Sequence, residues 1–499
     1  MNKNERLSGI LMPISSLPSP YGIGTLGKAS YDFADFLKAC HVKIWQMLPL
    51  NVTSYGDSPY QSPSSTGLNY YFIDLDILIE KGLLTKEECE DAHLFYDERR
   101  VDYGSLFARR IPLLKKAFSR FDHSDPDFLE FVKEGKYNDF AFFMTMKTIN
   151  SFHAWYQWSD EYCNYTPELE ARIKKEHEET YLFFVWTQFE FLAEFKKLKA
   201  YVNSLGIQLI GDMPLYLAYD SVEAYKYPEL FLFDSKHNPT VVAGCPPDYF
   251  SKDGQLWGNP IYNYANMKED NYAWFSRRIA LNLEIYDILR IDHFRGCSSY
   301  YTIPFGMKNA RIGRWVDAPG IALFQDKKEL PIIAEDLGTL DEGVYKLLAE
   351  TGFPGMKVLE FAFDGDPNNP HKPHLSPVNS VSYTGTHDNM PLRGYLESLS
   401  EQELTVFKRD VEEECKLLHV NYSDSTLKEL VNTVVSLSLA SPSFISVIPY
   451  QDYLASGKES RINLPSSLSN ANWTYRFLKD EFNNEVQSRI SRLISAYNR

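Results

Sequence analysis

Four carboxylates stand at the polar ends of apolar segments: Asp212 in IGDMP, Asp292 in LRIDHFRG, Glu335 in IIAEDLG and Asp388 in TGTHDN. Cleaving a glycosidic bond takes two carboxyl groups, one as nucleophile or base and one as acid, flanking an oxocarbenium-like transition state. Arg290 and Asp292 are two residues apart, so on a strand their side chains project together. A guanidinium beside a carboxylate favours the ionised form, which suits Asp292 as the nucleophile. Glu335 follows four apolar residues and has Asp388 available as a neighbouring acid. Burial and a second carboxylate both raise a pKa, as a general acid requires. Each residue also has a structural alternative. A strand-end acid serves as a helix cap, Arg290 with Asp292 as an ion pair, and His293 and His387 as hydrogen-bonded packing residues. Asp336 should point away from Glu335, in a structural role.

Residues this far apart in sequence meet only if the strands carrying them end at one place. Eight short apolar segments qualify: SGILMPISSL from Ser8, KIWQMLPL from Lys43, GIQLIGDMPLY from Gly206, ILRIDHF from Ile288, LPIIAEDL from Leu330, MKVLEFAF from Met356, SVSYTGTHD from Ser380 and SFISVIPYQD from Ser443. Strands alternating with helices predict a parallel sheet, and eight of them predict a (β/α)8 TIM barrel, whose active sites lie at the C-terminal strand ends. Helical spacing of Phe33, Phe36, Leu37 and Cys40, and of Leu192, Phe195, Leu198, Val202 and Leu205, supports the alternation. Thr339 and Glu342 fit a capping box opening the helix after the fifth strand.

The barrel is interrupted, and its insertions read as largely helical subdomains. Residues 1–53 hold the first two strands and 191–217 the third. Between them, 54–190 read as an insertion, an irregular Ser/Gly/Pro/Tyr-rich loop followed by a charged helical subdomain. Residues 218–275 read as a second insertion with an aromatic lid loop, and 276–499 complete the barrel. Tyr55, Tyr60 and Tyr70, with Gln61 and Asn69, form either a packed loop or a wall for sugar rings. Tyr249, Phe250 and Trp257 lie in a stretch able to fold over a cleft as a lid.

The formal net charge is −16, which argues against nucleic acid or an anionic membrane as partner and leaves a neutral ligand open. Aromatic residues reach 15%, with 33 Tyr, 32 Phe and 8 Trp. Six scattered cysteines and an N-terminus without an apolar signal core fit reduced thiols and a cytoplasmic location. No cofactor and no metal site are implied, and oligomeric state is not legible. Dinucleotide, P-loop and serine-hydrolase motifs are absent.

With these segments assembled, the chain resembles the bacterial 4-α-glucanotransferases, or amylomaltases, of glycoside hydrolase family 77. The resemblance spans nearly the whole length and rests on SGILMPISSLPSPYGIGTLG, WQMLPLNVTSYGDSPYQSPSSTGLN, IGDMPLYLAYDS, GCPPDYFSKDGQLWGNPIY, LRIDHFRG, IIAEDLG, GFPGMKVLEFAFDG, YTGTHDN, RINLP and NWTYR. It implies a barrel without a separate C-terminal β-domain and a retaining double displacement on α-1,4-glucans. Maltodextrins would be donor and acceptor, with glucose as a further acceptor. By the same resemblance Asp292 matches the nucleophile, Glu335 the acid/base and Asp388 the third carboxylate. Arg290, Asp212, His293 and His387 match sugar contacts at the cleavage point. Tyr60 and Trp257 match the glucan-binding surface and Asp248 a lid residue. Ser58, Gln61, Asn259, Tyr249 and Phe250 join the expected substrate-binding set. The chain departs from the family pattern at Ile462, Ser466 and Glu360, where Met, Gly and Gln are expected. An α-amylase-like hydrolase and an inactive glucan-binding protein remain alternatives.

Overall fold

The computed structural model describes residues 3–247 and 252–499. Twelve strands follow in chain order: β1 (Leu7–Leu11), β2 (Ile44–Gln46), β3 (Gln208–Met213), β4 (Val241–Cys245), β5 (Gln255–Pro260), β6 (Ile288–Ile291), β7 (Ser299–Pro304), β8 (Arg314–Asp317), β9 (Ile332–Ala334), β10 (Gly355–Val358), β11 (Ser380–Tyr383) and β12 (Ile445–Pro449). Eight of them form one parallel sheet in the order β10-β11-β12-β1-β2-β3-β6-β9. Six of the eight lie within the segments expected from sequence, and β1 and β10 each begin one residue earlier, at Leu7 and Gly355.

The two edge strands of this sheet meet at a seam. The Ala334 N–H donates to the Pro354 carbonyl at 2.9 Å. The Asp336 carboxylate accepts the Met356 N–H at 2.6 Å. A Cβ on Gly355 would lie 2.5 Å from an Asp336 oxygen, so glycine is what lets the acid reach the strand. Asp336 thus faces away from Glu335 and stitches the barrel shut. Burial raises its pKa to about 6.

Period-two alternation sorts the strand side chains. Ile44, Ile210, Ile288, Ile333, Val381 and Ile445 fill the barrel interior as one cluster, while Trp45, Leu209, Leu289 and Ile332 pack outward. Two residues beyond Ile210, Ile288 and Ile333, on the same face, come Asp212, Arg290 and Glu335. Each inward column is therefore apolar below and charged at the mouth.

Helices Leu75–Glu80, Ile111–Arg120, Asn138–Ile149 and Pro167–Glu176 occupy much of the stretch between β2 and β3. The 27-residue helix Glu178–Ser204 crosses the expected boundary at 190, serving the insertion at its start and the barrel at its end. A second, antiparallel sheet in the order β5-β4-β7-β8 takes strands from both sides of residue 275. The helix after β9 (Glu342–Thr351) is capped by Asp341, which accepts the Val344 N–H at 3.1 Å, and not by the expected Thr339. The Thr339 carbonyl instead accepts from Arg295. None of the six cysteines forms a disulfide. Among the described residues no helix is long and apolar enough to cross a membrane.

Asp336→Ala leaves the buried Met356 N–H without a partner and is expected to lower unfolding stability by about 1–3 kcal/mol. Urea denaturation followed by tryptophan fluorescence checks this, and an unchanged midpoint contradicts the role of the seam.

Candidate active site

Parallel pairing of β3 with β6 puts Asp212 directly opposite Arg290. One terminal nitrogen of the guanidinium, Nη1, lies 2.7 and 2.6 Å from the two Asp212 oxygens and 3.0 Å from Asp292 Oδ1. Arg290 and Asp212 are buried, whereas the Asp292 side chain keeps 29% of its exposure and faces the mouth. The expected joint projection of Arg290 and Asp292 is what the strand produces.

Glu335 follows β9, and its main chain is tied to the neighbouring strand end: its N–H donates to the Ile291 carbonyl, and its carbonyl accepts the Phe294 N–H. Its carboxyl group accepts two backbone N–H groups, His293 at 2.6 Å and Leu337 at 3.0 Å. The first contact depends on an unusual backbone. His293 has φ 51°, in the left-handed region, which for a residue with a Cβ costs about 1–2 kcal/mol. The turn aims the N–H after Asp292 at Glu335, so nucleophile candidate and acid candidate share one peptide junction. Nearby, Arg295 donates to Ser299 and Asp341 at 2.9 Å and lies 3.7 Å above the Trp315 ring, tying together the loops after β6 and β9.

Asp388 sits in the loop after β11 and is held from the far end of the chain. Asn463 Nδ2 donates to its Oδ1 at 2.6 Å, and Arg461 donates to its carbonyl at 2.6 Å. Trp473 completes this side. Tyr60 stacks on His387 with ring centroids 5.1 Å apart and planes 11° apart, and Trp473 leans on both. The Tyr60 hydroxyl donates to Asp212 at 2.8 Å, so the aromatic wall is anchored to the charged cluster. The same C-terminal segment continues across the barrel mouth, where Val101 donates to the Thr474 carbonyl and Arg476 to Leu17 and Ser19.

The electrostatics follow from this crowding. Burial raises Glu335, opposed by Arg290 and the two N–H donors. Burial also raises Asp292, opposed first by Arg290 and reinforced by Asp212, Glu335 and Asp388. Asp388 therefore bears on Asp292, and Asp336 acts on Glu335. Asp292 and Glu335 bear on one another's ionisation. Arg290 touches Asp292 at 3.0 Å, whereas Glu335 is met by backbone N–H groups. Burial holds His293 neutral, with its pKa lowered to about 3, and lowers that of His387 as well.

The other expected residues divide. Trp257 meets the His293 ring edge-on at 4.7 Å, with Tyr216 beside them. Gln61 and Asn259 pair through their amides at 2.9 Å. Ser58 accepts the Tyr60 N–H at 3.2 Å and shapes the turn that presents Tyr60. Tyr70 is buried and Asn69 caps its turn, so these two are structural. Tyr55 is 89% exposed. Asp248, Tyr249 and Phe250 lie outside the described residues. Sequence reasoning passed over Asn463, Arg461 and Trp473 as individual residues, although RINLP and NWTYR contain them. Of the departures, Ile462 joins the interior cluster, and Ser466 adopts φ 59°, a conformation that glycine adopts more easily.

Residues 12–480 match the profile of the family described as 4-alpha-glucanotransferase, glycoside hydrolase family 77. The chain belongs to this family. It is 41% identical over 501 residues to a 4-alpha-glucanotransferase of Clostridium butyricum, covering 98% of this chain and all of that one. A Thermus thermophilus 4-alpha-glucanotransferase is 38% identical, with 99% of each covered. Among solved structures, an amylomaltase from Streptococcus agalactiae in complex with acarbose superposes with a TM-score of 0.93 at 38% identity, covering 99% of this chain and 100% of that one. The family fold is thus the interrupted barrel described above.

Tyr60→Phe removes the hydrogen bond to the buried Asp212 but keeps the stack on His387. A hydrogen bond to a charged group contributes about 1.5–3 kcal/mol, so a loss in that range is expected. Tyr60→Ala loses the aromatic wall as well and should fall further, by about 0.5–1.5 kcal/mol beyond the lost area. Equal unfolding energies for the two variants contradict the wall.

Proposed function

We infer that this chain is a 4-α-glucanotransferase, moving α-1,4-glucan segments from one maltodextrin to another, or to glucose, by a retaining double displacement. Membership of the family over nearly the whole chain carries this reading. The arrangement around Arg290 supports its chemistry: an ion-paired carboxylate at the mouth beside a buried carboxyl group that burial raises.

In this reading Glu335 protonates the glycosidic oxygen while an Asp292 oxygen attacks the anomeric carbon. The C–O bond to the leaving glucan breaks, and an ester between Asp292 and the sugar forms. A second glucan then enters. Glu335 takes the proton from its 4-hydroxyl, the hydroxyl oxygen attacks the anomeric carbon and Asp292 leaves. Two inversions restore the α configuration. Asp388, supported by Asn463 and Arg461, holds the donor sugar, with Asp212, Arg290, His293 and His387 around the cleavage point. Neutral imidazoles there accept or donate hydrogen bonds to hydroxyls without adding charge. Tyr60 and Trp257 present ring faces to the glucan. Transfer in place of hydrolysis requires water to be kept from the ester. We propose that Trp257 and the loop after β4 serve that end, and that Asp248, Tyr249 and Phe250 within it take part.

Maltotriose separates the readings. A ladder of longer maltodextrins with release of glucose is expected, whereas net growth of reducing ends would identify a hydrolase and no reaction a binding protein. Asp292→Asn should abolish turnover, and unchanged turnover would refute the nucleophile. Glu335→Gln should slow maltotriose turnover by about 10²–10⁴-fold, the usual contribution of general acid–base catalysis. It should retain ester formation from α-maltosyl fluoride, whose leaving group needs no proton.

The pH dependence has a definite sign. Burial raises Glu335, so its proton survives above the ordinary carboxylate range and activity is lost as pH rises through the upper ionisation of the pair. Activity also falls at low pH as Asp292 takes up a proton. A maltotriose profile whose alkaline limb lies at or below the ordinary glutamic acid pKa of about 4.3 contradicts the assignment.

A further inference from the structure

Behind the loop that carries Asp388 lies a carboxyl group that the reaction scheme does not use. Glu360 follows β10, and its N–H donates to the Thr384 carbonyl at 3.0 Å, linking the ends of β10 and β11. Its Oε1 accepts from Asn389 Nδ2 at 2.9 Å. Asn389 Oδ1 in turn accepts both the N–H of Thr386, at 2.9 Å, and its hydroxyl, at 2.8 Å. The Thr386 hydroxyl oxygen accepts the Asp388 N–H at 3.2 Å. Three polar links thus run from Glu360 to the main chain of Asp388. Glu360 Oε2 is buried without a hydrogen-bond partner among the described residues, and a Cβ on Gly385 would lie 3.8 Å from it.

We propose that Glu360 is a positioning residue for glucan transfer, setting the Asp388 loop through Asn389 and Thr386, and that it does so as the neutral acid. The neutral form follows from what surrounds it. A buried carboxylate oxygen without a donor is costly to charge. Asp452 faces it from the residues after β12 and disfavours charge, while Arg461 from the C-terminal segment and the Asn389 amide favour it. Tyr395, on the helix Leu392–Ser398, also faces it. Burial prevails and raises Glu360 to about 7. Around neutral pH the group passes from a neutral acid to a buried anion against the Gly385 backbone, and the loop loses its productive setting. Glutamine reproduces the neutral form, keeping an acceptor for Asn389 and no charge.

The inference rests on the transferase reading and on Asp388 contacting the donor sugar. Its test is single-turnover ester formation from α-maltosyl fluoride, which bypasses protonation by Glu335 and isolates the Asp388 side. For the wild type the rate should fall about tenfold between pH 6 and pH 8, because a group titrating near 7 loses most of its neutral form across that range. Glu360→Gln should hold the pH 6 rate to within about twofold over the whole range. Glu360→Leu, lacking the acceptor, should be about fivefold to tenfold slower at every pH, as expected for a lost hydrogen bond, and in an Asp388→Asn background it should add less than about twofold. A Gln variant that keeps the wild-type fall, a wild type without one, a Leu variant at the wild-type rate, or full additivity with Asp388→Asn would overturn the proposal. A wild type that leaves maltotriose unchanged would instead remove the transferase reading beneath it.

Discussion

One terminal nitrogen of a buried guanidinium holds the mouth of this barrel together. Arg290 Nη1 contacts both oxygens of Asp212 and one of Asp292. Asp212, Glu335 and Asp388 all act to raise Asp292. Without the cation, acids this close would suppress one another's ionisation, and removing one partner of a buried pair costs about 3–5 kcal/mol. The contact is set by strand register, since Asp212 and Arg290 are opposite residues of β3 and β6. The chemistry therefore depends on a pairing that the apolar residues beneath, Ile210 and Ile288, specify by filling the barrel.

The acid side is built differently. Glu335 is held by peptide N–H groups, from His293 and Leu337. Backbone donors fix its direction and favour its charged form, against the burial that raises it. The left-handed turn at His293 is what makes one of those donors available. Two carboxyl groups on adjacent strands are thereby held by different partners, one by a guanidinium and the other by peptide N–H groups.

Much of this was legible in the chain because period-two patterning is local. The eight strand segments follow from short apolar runs that precede helical spacing, and the joint projection of Arg290 and Asp292 from side-chain alternation. The roles of the carboxylates needed the family resemblance, since a strand-end acid by itself also fits a cap. The cap after β9 went to Asp341 because the Thr339 carbonyl is engaged by Arg295, a tertiary contact invisible in a four-residue window. Asn463, Arg461 and Trp473 carry no local signal. They matter only because the chain returns to the barrel mouth after β12, and no periodicity encodes a return. The second sheet escaped notice for the same reason, its strands coming from two separated stretches.

That return has a consequence for how the protein comes into being. The segment that grips Asp388 and leans Trp473 on Tyr60 is translated after the last barrel strand, and it also binds back to Val101 and to Leu17 and Ser19 near the start of the chain. A nascent barrel can close its sheet with β12 against β1 and still lack one wall of its cleft. The wall around Asp388 is thus the last part of the cleft to be made, and the same final stretch brings the buried side chains of Ile490 and Ile494 to the core.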